Sequence, residues 1–323
     1  IVVYAGAAGL VLPFTCGADK EKIIAALDQL QAGGSTAGGA GIQLAYKTAR
    51  ENFSKEGNNR VILATDGDFN VGASSDKDME QLIEEERKSG VFLTVLGFGM
   101  GNYKDAKMEI LADKGNGNYA YIDNVMEARK TLVNEFGGTL FTIAKDVKLQ
   151  VEFNPAYVKS YRLIGYENRL LKDEDFNNDK KDAGELGSGH TVTALYEIIP
   201  ANSKEKPLVD DLKYQNKKVA NGNENGELLT VKFRYKKPDE DTSKLLVNVL
   251  SAKETNINEA SRNVKWSAAV AGFGMLLRGS ENIENFGYEQ VVQLAKQAKG
   301  KDAQGYQREF IDLAQSVPFL AKR

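Results

Sequence analysis

Two short stretches carry oxygen atoms in an arrangement that could do chemistry. One is the glycine-rich run Gly33-Gly34-Ser35-Thr36-Ala37-Gly38-Gly39, with Gly41-Ile42 beyond it. The other is Leu63-Ala64-Thr65-Asp66-Gly67-Asp68. Taken singly, each has a plain structural reading. A threonine beside a glycine turn serves as a helix N-cap, and an aspartate at the end of an apolar run serves as a turn residue. Taken together, a hydroxyl and a carboxylate are hard oxygen donors. A divalent ion such as Mg²⁺ takes roughly octahedral oxygen ligands at about 2.0–2.1 Å. Hydroxyls supply ligands without neutralising the ion, which stays electrophilic toward a further carboxylate. The glycines around Thr36 let the backbone approach closely.

The elements that would hold these oxygens follow from the apolar pattern. Arg60 to Thr65 is a continuous apolar run, as expected of a strand buried on both faces. Val91 to Phe98 repeats the pattern, and Asn118 to Ile122 is a third strand. Between them lie helical stretches: Ile42 to Ala49, one from Ser75 to about Ser89 closed by Gly90, and one around Met108 to Ala112. A further helix spans Asn124 to Phe136 and is ended by Gly137-Gly138. Before them come two short strands, Ile1 to Ala5 and Leu10 to Pro13, and a helix that follows Asp19 as N-cap. Alternation of this kind predicts an α/β fold, a doubly wound and mostly parallel sheet with helices on both faces. In such sheets function gathers at the loops leaving the C-terminal strand ends, and Thr36 and Asp66 both fall on loops at that edge.

The pattern changes after Gly138. Ile143 to Phe153, Tyr157 to Tyr166, Thr191 to Ile199, Leu228 to Tyr235 and Leu245 to Leu250 read as strands of an antiparallel, sandwich-like module. Polar loops interrupt them at Lys172 to Ser188 and Ala201 to Gly226. From Asn258 the chain is helical to its end. The expected division is residues 1–140, 141–255 and 256–323.

These motifs resemble a known family. The Thr36 and Asp66 stretches, in their strand-loop-helix order over residues 1 to about 138, are similar to the second and third parts of the metal-ion-dependent adhesion site of von Willebrand factor type A domains. The resemblance implies that Thr36 is a direct ligand and that Asp66 acts through a water. Ser35, Gly67 and Asp68 then line the ligand-binding edge. The ion is Mg²⁺, with Mn²⁺ or Ca²⁺ as alternatives, and another protein completes its coordination with an acidic residue. The family's first element, Asp-x-Ser-x-Ser, occurs nowhere in this chain. The chain opens on a strand without a Met or a signal segment, so that element is expected upstream of Ile1. In the family the strand carrying it is central. Its absence would deprive Val2-Val3 and Ile62-Leu63 of a shared neighbour.

A second resemblance covers most of the remainder. Leu163-Ile164-Gly165-Tyr166-Glu167-Asn168-Arg169, Gly184-Glu185-Leu186-Gly187-Ser188-Gly189-His190 and Ala268 to Arg278 look like a bacterial C-terminal domain that follows a von Willebrand type A domain in cell-envelope proteins. No known chemistry comes with it. It implies a bacterial cell-envelope location, periplasmic or extracellular, with family members carrying an export or lipoprotein signal.

Other features exclude function classes. A formal net charge of −3 over 323 residues, with no basic run, argues against a nucleic-acid groove. No apolar stretch approaches the roughly 20 residues of a membrane span. The single Cys16 excludes an internal disulfide and a cysteine metal cluster. Asp173-x-Asp175-x-Asn177-x-Asp179 imitates the spacing of a calcium loop, but the glycine at the sixth position is missing and Gly184 stands where a bidentate Glu belongs. It reads as a solvated loop. Gly97-Phe98-Gly99-Met100-Gly101 lacks the Lys-Ser/Thr of a phosphate loop. His190, the only histidine, reads as structural, and the stripe Trp266, Phe273, Tyr306 and Phe310 as packing between helices. No nucleophile with an adjacent base stands at the strand ends, so the expectation is a binding protein rather than an enzyme. The alternatives are a structural or scaffold protein with a degenerate metal site, or a doubly wound hydrolase.

Overall fold

The computed structural model describes residues 1–323 apart from 5–7, 32, 34–37, 68–75, 102, 167–169, 182, 205–225, 254, 284–285 and 321–323. The chain divides into two compact units. One comprises 1–148, 174–191 and 233–245, and the other 149–173, 192–232 and 246–323.

In the first unit, β1 (Val2–Val3) and β2 (Gly9–Leu10) form an antiparallel hairpin. Two helices follow, α1 (Lys20–Asp28) and α2 (Gly38–Glu51). Asp19 precedes α1, but its carboxylate accepts from Lys22 Nζ at 3.2 Å instead of capping the helix backbone. Three parallel strands are laid side by side in chain order: β3 (Arg60–Thr65), β4 (Phe92–Gly97) and β5 (Tyr119–Tyr121). The register runs from Arg60 opposite Phe92 to Thr65 opposite Gly97, and Gly97 lies opposite Tyr121. The connecting helices are α3 (Asp76–Glu86) and α4 (Asp105–Lys114). Apolar side chains from α2, α3 and α4 (Ile42, Tyr46, Met79, Ile83, Met108 and Leu111) pack on Val61, Leu63, Leu93 and Val95 to make the core.

Two expectations are corrected here. β4 is buried on both faces, but β3 is not: Val61, Leu63 and Thr65 are buried while Ile62 and Ala64 are exposed. The reason is topological. Among the described residues β3 has a strand partner only on its β4 side, and an outer strand covered on one face shows period-two burial. β1 does not fill the other side, since it pairs with β2 in a separate sheet. The second correction concerns Gly137-Gly138, which do not end the helix. Helix α5 (Val125–Arg129), capped by the Asn124 side chain, passes through a π turn at Lys130–Asn134 into α6 (Phe136–Leu140). Both glycines lie inside α6, and the position that demands glycine is Gly187, whose backbone comes against Gly138. A Cβ on Gly187 would stand 1.7 Å from the Gly138 carbonyl oxygen.

Beyond residue 141 the strands are antiparallel, as expected. β6 (Thr142–Phe153), β8 (Gly184–Gly187), β10 (Glu227–Lys236) and β11 (Lys244–Ser251) form a four-stranded sheet in the order β11-β10-β6-β8. β7 (Val158–Ile164) and β9 (Leu195–Pro200) form a two-stranded one. In the second unit three helices, α7 (Arg262–Leu277), α8 (Tyr288–Ala298) and α9 (Tyr306–Leu320), pack together. The Ser261 hydroxyl caps α7 by accepting from Val264 N–H. Phe310 makes edge contacts with both Trp266 and Phe273, so these three rings of the stripe are helix packing. Among the described residues no helix is long and apolar enough to cross a membrane.

Candidate functional site

Parallel pairing brings the C-terminal ends of β3, β4 and β5 to one edge. Backbone bonds fasten them there. Phe98 N–H donates to Thr65 O at 2.8 Å, and Ile122 N–H donates to Gly97 O at 2.8 Å. Asp66 is the first residue past β3 and is exposed at this edge. Gly67 follows, buried, with φ +84°. Its N–H donates to the Thr65 hydroxyl at 3.1 Å. A Cβ there would lie 2.8 Å from Lys104 Cβ and 3.2 Å from Met108 Cε. Both the backbone angle and the space therefore demand glycine. The turn holds Asp66 by its backbone, whose carbonyl accepts from Lys104 N–H at 3.5 Å. On the other side the loop after β4 passes at Gly99, also left-handed at φ +102°. A Cβ there would be 3.6 Å from Asp66 Cβ. The Tyr121 hydroxyl donates to the Gly99 carbonyl at 2.7 Å and pins that loop.

Tyr4 belongs to this edge as well. Its hydroxyl donates to the Ala64 carbonyl at 2.7 Å, one residue before the end of β3. Burial raises its pKa above the ordinary value; a hydrogen bond with Thr65 opposes the rise and the charge of Asp66 adds to it. The phenol is thus a neighbour of both Thr65 and Asp66. The first turn of α2 packs on the same side chain. A Cβ on Gly41 would fall 2.4 Å from Tyr4 Cβ, so glycine is what lets the helix start approach. The sequence reading takes Tyr4 as one more residue of a strand, and only the tertiary approach of α2 and β3 shows its place.

At the neighbouring strand ends, Tyr119 donates to Asp105 Oδ1 at 2.5 Å, and the Tyr103 and Tyr119 hydroxyls are hydrogen-bonded to each other. Burial and the bond to Asp105 push the Tyr119 phenol well up. Tyr103 lies over Gly97, where a Cβ would meet its hydroxyl oxygen at 1.8 Å. Gly97-Phe98-Gly99 is therefore a loop packed by tyrosines, not a phosphate cradle.

Of the expected site residues, Asp66 and Gly67 lie at the predicted edge, while Thr36, Ser35 and Asp68 lie outside the described residues. A carboxylate suits a hard cation, but Asp66 offers only one carboxylate of the roughly six oxygen ligands such an ion takes. Among the described residues no group of three or more His, Cys, Asp and Glu side chains could hold a metal.

The calcium-like stretch leaves Asp173, Glu174, Asn177 and Asn178 exposed, as the loop reading expects, while its backbone carbonyls are tied to two buried lysines. Lys148 is 3% exposed and donates to the carbonyls of Asp175 (3.1 Å) and Asn178 (2.6 Å). Lys236 is 6% exposed and donates to the Asp179 carbonyl (2.6 Å) and to Asp146 Oδ2 (2.7 Å). Two of the side chains accept hydrogen bonds as well. Asn177 accepts from Arg234 at 3.0 Å, and Asp179 accepts from Ser243 N–H at 3.3 Å. The oxygens gather around ammonium groups. His190 sits in the turn after β8, its N–H donating to Gly187 O at 3.0 Å.

Comparison with known proteins agrees with this architecture. Residues 1–135 match the model of the von Willebrand factor type A domain, and residues 138–320 match the model described as "Uncharacterized protein YfbK, C-terminal". The chain is 47% identical to the Escherichia coli protein YfbK over 314 residues, 97% of this chain and 54% of that protein. It thus spans about half the length of that curated relative. Among solved structures it is similar to a von Willebrand factor type A protein from Catenulispora acidiphila, with TM-score 0.42, 14% identity, and 98% of this chain and 72% of that one covered. A membrane-spanning protein from Vibrio fischeri gives TM-score 0.20, with 21% identity over 40% of this chain and 70% of that one. A von Willebrand factor type A domain followed by this C-terminal domain places the chain in the bacterial YfbK family.

Proposed function

We propose that this chain is the core of a metal-ion-dependent protein-binding module in a bacterial cell-envelope protein. Von Willebrand factor type A domains commonly mediate protein interactions, and in this proposal the contact is made through an ion. The observation that carries it is the placement of Asp66. Its carboxylate is exposed at the C-terminal edge of parallel strands, between two glycines at left-handed backbone angles, and the first turn of α2 packs on a neighbour of that carboxylate, Tyr4. In this proposal Asp66 and Thr36 serve Mg²⁺, or Mn²⁺ or Ca²⁺ in its place, and Ser35, Gly67 and Asp68 shape the surface around it. The ion supplies an electrophilic position for a carboxylate of the partner protein. The role is binding, not catalysis, and an envelope location follows from the family resemblance alone.

Mg²⁺ and Mn²⁺ titrated calorimetrically into the full-length protein and its Asp66→Ala variant test this reading. Saturable binding by the wild type, weakened tenfold or more in the variant, is expected. Equal binding by both, or none by the wild type, overturns it.

A further inference from the structure

Among the described residues β11 (Lys244–Ser251) is the outer strand of the four-stranded sheet, next to β10. It reads Lys-Leu-Leu-Val-Asn-Val-Leu-Ser, and every residue is exposed. Its five apolar side chains, Leu245, Leu246, Val247, Val249 and Leu250, are each 45% to 55% exposed. Successive residues of a strand face opposite sides, so equal exposure at odd and even positions means that neither face is covered. A strand apolar on both faces is the pattern of an inner strand, not of an edge. Edge strands of proteins that stay alone are guarded by charge, proline or a bulge, and from Leu245 to Leu250 β11 has none of the charges or prolines.

The order of its residues says which partner it fits. Leu246-Val247-Asn248-Val249-Leu250 reads the same in both directions. Antiparallel pairing of this segment with itself, centred on Asn248, sets Leu246 against Leu250, Val247 against Val249 and Asn248 against its own copy. A two-fold contact requires such self-complementarity, because each side meets the same surface. The backbone agrees. Ala252 N–H donates to Gly226 O at 2.7 Å, toward the chain leading into β10. By two-residue alternation the N–H and C=O of Asn248 also point to β10, and those of Val247 and Val249 point to the open edge. The valines then exchange the new hydrogen bonds, and the asparagines form the close, non-bonded pair. Lys244, the only charge in the strand, falls opposite Ala252, so no like charges meet.

We infer that β11 is a self-pairing edge through which two copies of this chain join their four-stranded sheets into one continuous antiparallel sheet.

The test combines sedimentation with a cysteine scan of the 323-residue chain, made in a Cys16→Ser background to remove the exposed native thiol. The wild type should sediment as a dimer. Val247→Lys and Val249→Lys should weaken association roughly a hundredfold or more, since each removes one buried valine from both copies. Under mild oxidation Asn248→Cys should form a disulfide-linked dimer, because a non-bonded antiparallel pair has Cα atoms about 4.5 Å apart, within disulfide reach. Leu246→Cys should not, because the centred register separates its two copies by four residues, about 14 Å. If the lysine variants fail to fold, the two cysteine variants decide alone. A monomeric wild type, a dimer indifferent to folded lysine variants, or equal cross-linking at 246 and 248 overturns the inference.

Discussion

Replacing Lys236 by Met is the sharpest test of how the first unit is held together. The Lys236 and Asp146 side chains are 8% and 16% exposed, and their charged atoms are 2.7 Å apart. At an effective dielectric of about 20 their attraction is on the order of 6 kcal/mol, against a desolvation cost of several kcal/mol per ion. The intact pair is therefore close to break-even. Methionine keeps most of the stem volume but takes the ion-pair partner from the Asp146 carboxylate, which keeps the Ala183 N–H at 3.2 Å, and it removes the Lys236 bond to the Asp179 carbonyl. Removing one partner of a buried pair costs about 3–5 kcal/mol.

Asp146→Asn is the matching variant. Asp146 has φ +52°, a conformation asparagine tolerates, so the substitution changes charge without adding backbone strain. Urea unfolding followed by far-UV circular dichroism, with hydrogen exchange at β6 and β8 to assign the transition, measures both single variants and the double. The expected coupling is about 2 kcal/mol or more, the double variant being far less damaged than the sum of the singles. A Lys236→Met loss below about 1 kcal/mol, or strict additivity, would refute the buried-pair account.

Two further outcomes follow from the geometry. Gly67→Ala sets a side chain at φ +84° against Lys104 and Met108 and should cost about 1–3 kcal/mol by thermal unfolding; an unchanged melting temperature would contradict the turn described. Asp302 accepts from Gln307 N–H at 3.0 Å and Arg308 N–H at 2.9 Å at the start of α9. Burial pushes its pKa up, but these backbone bonds and Lys299 outweigh it and hold the carboxyl below its ordinary value. A carboxyl lowered on folding contributes stability that is complete above its unfolded pKa and lost as pH falls through the folded one. The stability gap between wild type and Asp302→Ala should be full at neutral pH and close below about pH 4; a gap independent of pH down to 2 would show that the charge plays no part.

The parallel half of the fold was legible because its helices and strands repeat at the spacing that burial imposes. Asp66 could be set at the C-terminal edge of the sheet from the sequence, since a strand of a parallel sheet ends there in a loop. The errors have one origin. Burial of β3 on both faces was read from composition, but Ile62 and Ala64 are exposed because β3 has no strand on its second side among the described residues. Gly137-Gly138 was read as a stop because glycine ends isolated helices, whereas here both residues lie inside α6. Tyr4 could not be found at all, because its partners, Gly41 and Ala64, lie 37 and 60 residues away in sequence.

The Asp173–Asp179 stretch shows the same principle in chemical form. Side-chain oxygens at alternate positions are what a calcium loop needs. The buried ammonium groups here instead take backbone carbonyls, those of Asp175, Asn178 and Asp179, because a cation taken out of water needs acceptors. Sequence spacing cannot distinguish the two, because the deciding partners, Lys148 and Lys236, come from β6 and β10. A buried lysine fills three donor positions without the strict ligand count of a metal, so the missing glycine and bidentate glutamate are no defect here. Removal of calcium should then leave this loop's protection from hydrogen exchange unchanged, while Lys148→Met should lose it. Protection that falls on chelation would return the loop to the metal-binding reading and displace the lysines from the centre of it.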